Sequence, residues 1–283
     1  MPARLTAYLP DAPAPTLLLA AGQTLAIGRA ADNALALEHP SVSRWHAQLQ
    51  PQADGHWQLH DLGSKNGSFR DGVRVAAPIA LETATWLRFG DIYAEFAPLS
   101  PADAELAERR QRARCDRATA LTQGLAQIGG LDDLLGASLD AVVELAQAER
   151  GLLVLADSHG QRVAASHGIG PLPLQHSLPG SEGALHRALR DGQATVAHDV
   201  GGVPWLAERA SVCAAGLRTL LCLPLRDGTR VLGAIYADSR RAGSAIGALD
   251  MQLLEAFCER AALWIAARQA LRDTGAEQEP GPA

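Results

Sequence analysis

The chain has 283 residues, 47% of them hydrophobic and 20% charged, with a formal net charge of -6; that much core-forming material excludes a wholly disordered chain and suits two folded domains. Basic and acidic residues number 7 and 9 up to Pro98, 5 and 4 from Leu99 to Leu125, 13 and 15 from Ala126 to Arg272, and 0 and 3 beyond. No segment has the positive excess that binding to nucleic acid or anionic lipid demands, and neither a run of about 20 apolar residues nor a basic-then-apolar amino terminus is present, so the expected location is the cytoplasm.

From Arg4 to Phe96 the chain is a series of short runs broken by Gly, Pro, Asn and Asp: Leu5 to Leu9, Thr16 to Leu19, Thr24 to Ile27, Ala47 to Gln50, Trp57 to Asp61, Val73 to Val75, Trp86 to Phe89 and Tyr93 to Phe96. Short strands at this spacing predict an all-β sandwich over residues 1–98, with turns at Asp54-Gly55, Asn66-Gly67 and Asp71-Gly72. Ser100-Pro101-Ala102-Asp103 then predicts a helix start, with Ser100 as N-cap and Pro101 at the first helical position. The helix runs to about Gln123 and makes 99–125 a linker. Its Arg109, Arg110, Arg112, Arg114 and Arg117 are read as a solvated face balanced by Asp103, Glu105, Glu108 and Asp116.

Beyond Leu131 the order is a helix to about Gln147, strands at Leu152 to Ala156 and Arg162 to Ser166, a short helix at Gly183 to Leu189, strands at Arg218 to Leu225 and Val231 to Asp238, and a helix at Asp250 to Leu271. Helices at both ends of a central antiparallel sheet predict a separate α+β domain over 126–272. Residues 273–283 lack apolar periodicity and read as a disordered tail.

Cys115, Cys213, Cys222 and Cys258 are scattered without a Cys-x-x-Cys pair, so they read as reduced thiols rather than a disulfide framework or a zinc site. His159, His167, His176, His186 and His198 show no ligand-like spacing either. Lys65 is the only lysine and no glycine precedes it, which removes the P-loop. No metal, cofactor or catalytic residue is expected.

Ile27-Gly28-Arg29, Ser41 to Ala47, Asp61 to Ser68 and Phe89-Gly90-Asp91 follow one another in the first domain. Together they offer a guanidinium, hydroxyls and further cations from Arg29, Ser43, Arg44 and Lys65, the groups a phosphate needs to converge on it. This set resembles the forkhead-associated (FHA) domain, a β-sandwich that binds phosphothreonine peptides. The resemblance implies that Arg29 clamps the phosphate, Ser43 binds it, Asn66 hydrogen-bonds the ligand's main chain, and Lys65 and Arg44 lie near the phosphate. Gly28, His46 and Gly67 match positions that shape the loops. Ser68 departs from the usual threonine, keeping the hydroxyl and losing a methyl.

Ala148 to Val154, Asp191 to Ala194, Leu220 to Leu225 and Gly233 to Ser239 resemble the GAF domain, a fold used for small-molecule sensing and dimerisation. The chain's two asparagines, Asn33 and Asn66, both lie outside this region, which removes the asparagine-containing signature of cyclic-nucleotide binders. No cysteine precedes a histidine, as bilin attachment usually requires.

The expected function is thus a non-catalytic cytoplasmic signalling adaptor. Its FHA domain docks onto a protein phosphorylated by an upstream Ser/Thr kinase, its GAF domain dimerises or senses a small molecule, and output passes through a partner. Dimerisation is expected through the helices near Ala104 to Leu125 and Asp250 to Leu271. Two alternatives stay open: a ligand-gated GAF sensor regulating a partner enzyme or transcription factor, and a GAF-type free methionine sulfoxide reductase using Cys213 and Cys222.

Overall fold

Strand β1 (Ala3–Tyr8) turns Ala3, Leu5 and Ala7 inward and Arg4 and Tyr8 outward, the period-two pattern of a sheet with one face in a core. The same logic runs through β2 (Thr16–Leu19), β3 (Leu25–Gly28), β4 (Leu35–Ala36), β5 (Ala47–Pro51), β6 (Trp57–Asp61), β7 (Ser68–Arg70), β8 (Val73–Arg74), β9 (Ile79–Leu81), β10 (Thr85–Phe89) and β11 (Ile92–Pro98). They form two sheets, ordered β2-β1-β11-β10-β7-β8 and β4-β3-β5-β6-β9. Leu5, Ile27, Leu49, Trp57, Leu59, Leu87, Phe89 and Phe96 fill the space between them as one core. Every pairing is antiparallel except β3 with β4.

This computed structural model describes residues 1–10, 12–20, 22–157, 160–169, 182–197, 219–240 and 246–274. The chain divides into two units, Met1–Arg112 and Ala113–Ala283, and the division falls inside helix α1 (Pro101–Leu125). Ser100 begins α1 as its composition predicts: its hydroxyl accepts from the Asp103 amide at 3.1 Å and donates to the Asp103 carboxylate at 2.7 Å. The arginines of α1 meet the expected solvated, balanced face only in part. Arg109 and Arg112 pair with Glu105 and Glu108 along the helix, whereas Arg114 reaches Asp250 and Arg117 reaches Glu144, so the second half of α1 is fastened to other helices.

The second unit is a five-stranded antiparallel sheet, β13-β12-β16-β15-β14, formed by β12 (Arg150–Asp157), β13 (Gly160–His167), β14 (Thr195–Ala197), β15 (Thr219–Asp227) and β16 (Arg230–Ser239). Strands β12, β15 and β16 are buried on both faces, whereas edge strand β13 has no fully buried residue. Leu153, Leu155, Leu221, Leu223 and Ile235 pack with helices α2 (Leu131–Leu145) and α4 (Ala248–Asp273) on one side. Leu152, Val154, Cys222, Ala234 and Tyr236 meet helix α3 (Glu182–Asp191) on the other. A Cβ on Gly151 would lie 2.8 Å from Val143 and 2.9 Å from Leu139, so glycine is what allows α2 to seat this closely on β12. Helix α4 runs through Asp273, taking in the first residue of the expected tail. The tail from residue 275, Cys213, His159, His176 and His198 lie outside the described residues.

The fold is therefore a β-sandwich followed by an α+β unit with a central antiparallel sheet, the class the sequence predicts. Strands β4, β7, β9 and β14 have only two or three residues each, too few to show a periodicity, and the sequence reading passes over them.

Candidate functional site

The antiparallel registers Ile27 with Ala47, Ala47 with Asp61, and Ser68 with Phe89 bring the end of β3, the start of β5, the end of β6, the start of β7 and the end of β10 to one edge of the sandwich. The loops carrying Arg29, Ser43, Arg44, Lys65 and Asn66 thus share that edge.

Main-chain bonds stitch the loops together. The Arg29 amide donates to Ser43 O at 2.9 Å and the Ala30 amide to Arg44 O at 3.2 Å. Arg44 O also accepts from Asn33 Nδ2 at 2.8 Å, and the same amide nitrogen reaches Ala30 O at 2.9 Å. A Cβ on Gly28 would lie 2.2 Å from Arg44 O; no side chain fits there, so Gly28 is what permits the two loops to approach. The Lys65 amide donates to the Ser43 hydroxyl at 3.0 Å. That bond occupies one lone pair of the hydroxyl and leaves its proton free for an incoming anion.

His46 is fully buried beneath this edge. The Ser43 amide donates to its Nδ1 at 3.0 Å, which makes Nδ1 the bare nitrogen, so Nε2 carries the proton that meets Gly67 O at 3.2 Å. Burial holds its pKa below the ordinary histidine value, outweighing the hydrogen bond to Gly67 O and the nearby Asp61 carboxylate. Its ring meets Phe89 edge-on, with centroids 5.8 Å apart. Gly67, at φ +81°, turns the chain so that its carbonyl serves both His46 and the Gly90 amide, joining loops from the two sheets.

Asp61 and Ser41, to which the sequence reading gave no role, hold this arrangement. Asp61 accepts from the Ser64 amide at 2.9 Å, the Ser64 hydroxyl at 2.7 Å and the Ser68 hydroxyl at 2.6 Å. Burial raises its carboxyl pKa, but these bonds and the nearby His46 more than offset that and keep it below the usual value. Ser68 therefore supplies the bond for which a threonine methyl is unnecessary. Ser41 ties in the last loop, its hydroxyl accepting from the Asp91 amide at 2.9 Å. Asn66 Nδ2 donates to Ser41 O at 2.7 Å, which commits part of its amide to the scaffold and leaves Oδ1 open.

Against this network the cations stand out. Arg29, Arg44 and Lys65 are exposed, and among the described residues none of their side chains has a hydrogen bond or ion pair. Trp45 and Leu62 are exposed beside them. The edge thus offers three unpaired cations and one spare hydroxyl on backbones that are bonded to one another, which suits a dense anion such as phosphate.

Nothing comparable occurs among the described residues of the second unit. Cys222 and Cys258 are buried, and burial raises both thiols far above their ordinary range, which suppresses the thiolate. The described residues include no cluster of His, Cys, Asp and Glu able to hold a metal and no helix long and apolar enough to cross a membrane.

The FHA domain model matches residues 25–90 and the GAF domain model residues 130–265. The FHA domain-containing protein FhaB of Mycolicibacterium smegmatis is 32% identical over 83 residues, 29% of this chain and 53% of FhaB. Its Mycobacterium tuberculosis counterpart is 34% identical over 76 residues, 27% of this chain and 48% of that protein. The chain spans about half the length of these curated relatives. Among solved structures, the FHA-1 domain of Mycobacterium tuberculosis Rv1747 is 27% identical, with 34% of this chain and 97% of that one covered and a TM-score of 0.29. The GAF domain of an Acinetobacter phosphoenolpyruvate-protein phosphotransferase is 16% identical, with 56% and 96% covered and a TM-score of 0.45. Matched in the same order as the two structural units, the chain is an FHA domain followed by a GAF domain.

Proposed function

We propose that residues 1–98 bind threonine-phosphorylated segments of a partner protein, and that residues 126–272 dimerise the chain or respond to a small molecule, the whole acting as a non-catalytic signalling adaptor. A phosphothreonine carries about -1.5 to -2 charges and three strong acceptor oxygens. Arg29 and the Ser43 hydroxyl clamp it, Arg44 and Lys65 add charge at the rim, and Asn66 Oδ1 takes a main-chain amide of the peptide. A Ser/Thr kinase supplies the phosphate. The observation that carries this reading is the coincidence of three exposed cations with no ion-pair partner among the described residues and loops whose backbones are bonded to one another.

Calorimetric titration of the full chain with a phosphothreonine peptide and its unphosphorylated twin tests it. Only the phosphorylated peptide should bind, and Arg29→Ala should weaken it by about 100-fold or more, the usual loss when one partner of a hydrogen-bonded charge pair is truncated. The melting temperature should barely move, because the Arg29 side chain makes no bond within the domain. Equal heats from both peptides overturn the proposal.

A further inference from the structure

The sandwich, residues 1–98, has seven basic side chains: Arg4, Arg29, Arg44, Lys65, Arg70, Arg74 and Arg88. Three are engaged within it. Arg4 lies 3.8 Å from Glu95, Arg70 lies 3.7 Å from Asp71 and donates to Ala80 O at 3.1 Å, and Arg88 donates to Gly90 O and stacks on Phe69. Among the described residues the other four have no partner. Three of these are the cations assigned above to the phosphate, and the fourth is Arg74.

Arg74 sits where it bears on the same ligand. Strand β8 pairs with β7 so that Arg74 opposes Phe69, and the following Val75 amide donates to Ser68 O at 2.9 Å. Its guanidinium consequently lies over Gly67: a Cβ there would be 2.9 Å from Arg74 Nε and 3.3 Å from Cζ and Nη2. Gly67 directly follows Asn66, the residue assigned to the peptide's main chain. The carboxylates nearby are already used, since Asp71 serves Arg70, Thr85 and the Trp86 amide and Asp61 is saturated by serine donors. A fourth unpaired cation in the same sandwich adds self-repulsion that a single phosphate, held by Arg29 and Ser43, does not relieve at Arg74.

We infer that the partner segment carries a second anionic group close to its phosphothreonine, a carboxylate or another phosphate, and that Arg74 reads it; this rests on the phosphothreonine reading above. The test is fluorescence anisotropy of the full chain with phosphothreonine peptides in which Asp, and separately phosphoserine, is walked through each flanking position of an otherwise neutral sequence. At one or two adjacent positions the anion should tighten binding about three- to fivefold, the upper range for a solvent-exposed ion pair. Arg74→Ala should bring that ratio to about one, and Arg74→Glu should transfer the preference to a lysine at the same position. A gain from Asp identifies a carboxylate and a gain from phosphoserine alone a second phosphate, and either supports the inference. Absence of any positional gain, or a gain that survives Arg74→Ala, overturns it. Equal binding of a phosphorylated peptide and its unphosphorylated twin overturns the underlying reading instead, whatever Arg74 does.

Discussion

The two units treat arginine in opposite ways. In the second, basic side chains near the core are consumed by the fold: Arg150 lies 2.7 Å from Asp238, whose side chain is 0% exposed, Arg114 holds Asp250 and Arg268 donates to Ile128 O at 2.9 Å. In the first, Arg29, Arg44, Lys65 and Arg74 have no partner among the described residues, although the sequence holds nine acidic residues between Met1 and Pro98. A cation tied to a buried carboxylate fixes the unit's own geometry. One left free on fixed loops is available to a ligand.

This contrast predicts separable losses. Asp238→Ala removes the acceptor of the Arg150 guanidinium and of the Tyr236 hydroxyl, which donates to it at 2.8 Å, and strands a largely buried positive charge. The expected cost is about 3–5 kcal/mol in the second unit, read as an earlier unfolding midpoint in denaturant, with phosphopeptide affinity unchanged. Arg29→Ala should do the reverse. A variant at Asp238 that loses phosphopeptide binding breaks the division of labour.

Asp61→Ala should sit between these extremes, because Asp61 is a carboxylate of the first unit that braces the loop carrying Lys65 and Asn66. It leaves the fully buried Ser68 hydroxyl and the Ser64 amide without their acceptor, at about 2–3 kcal/mol, and loosens the loop that presents Lys65 and Asn66. Both the unfolding midpoint of the first unit and its phosphopeptide affinity should fall. A loss confined to stability would show that the Lys65 loop does not contribute to binding.

The unequal legibility of the two units has the same origin. The residue types at the edge of the sandwich, Arg29, Ser43, Lys65 and Asn66, stand out because glycines and turn residues surround them and their chemistry converges. The scaffold was not legible, since its bonds join residues far apart in sequence: Asn66 to Ser41 across 25 positions, Asp91 to Ser41 across 50. Nothing in the sequence marks Arg74 within the run Val73 to Val75, and only its placement over Gly67 and its lack of a partner among the described residues distinguish it. The helices and long strands of the second unit are visible because eight or more patterned residues outweigh local ambiguity, whereas the three residues of β14 cannot.

His46 should respond to pH rather than to charge removal. Its folded pKa is lowered by burial from the ordinary 6.5, so below that value the unfolded chain binds more protons than the folded one. The stabilisation is then complete above about pH 6.5 and is lost as the pH falls through the lowered folded value. Protonation places a second N–H against the Ser43 amide, opposing two donors where one bond existed. Thermal melts from pH 7.5 to 4.5 should show the first unit weakening, and His46→Gln, which cannot titrate, should flatten that dependence. Stability is the right readout, because the phosphate's second ionisation near pH 6 titrates the ligand itself.

The smallest effect belongs to α1, where both kinds of arginine occur on one helix. Arg109 and Glu105 are 3.3 Å apart with side chains 73% and 69% exposed, so solvent screens the pair and the side-chain entropy of fixing it offsets most of its attraction. Glu105→Gln should lower the unfolding free energy by under about 0.5 kcal/mol, a change measurable by circular dichroism in denaturant only with replicate curves. Arg114 differs because it reaches a carboxylate on α4 that is 12% exposed, and that carboxylate also accepts from the Gly247 amide that starts the helix. A loss above about 1 kcal/mol at Glu105, equal to what a partly buried pair contributes, would mean that the first half of α1 is covered in solution, as a helix-mediated dimer requires, and light scattering of the same variant would then show a fall in mass.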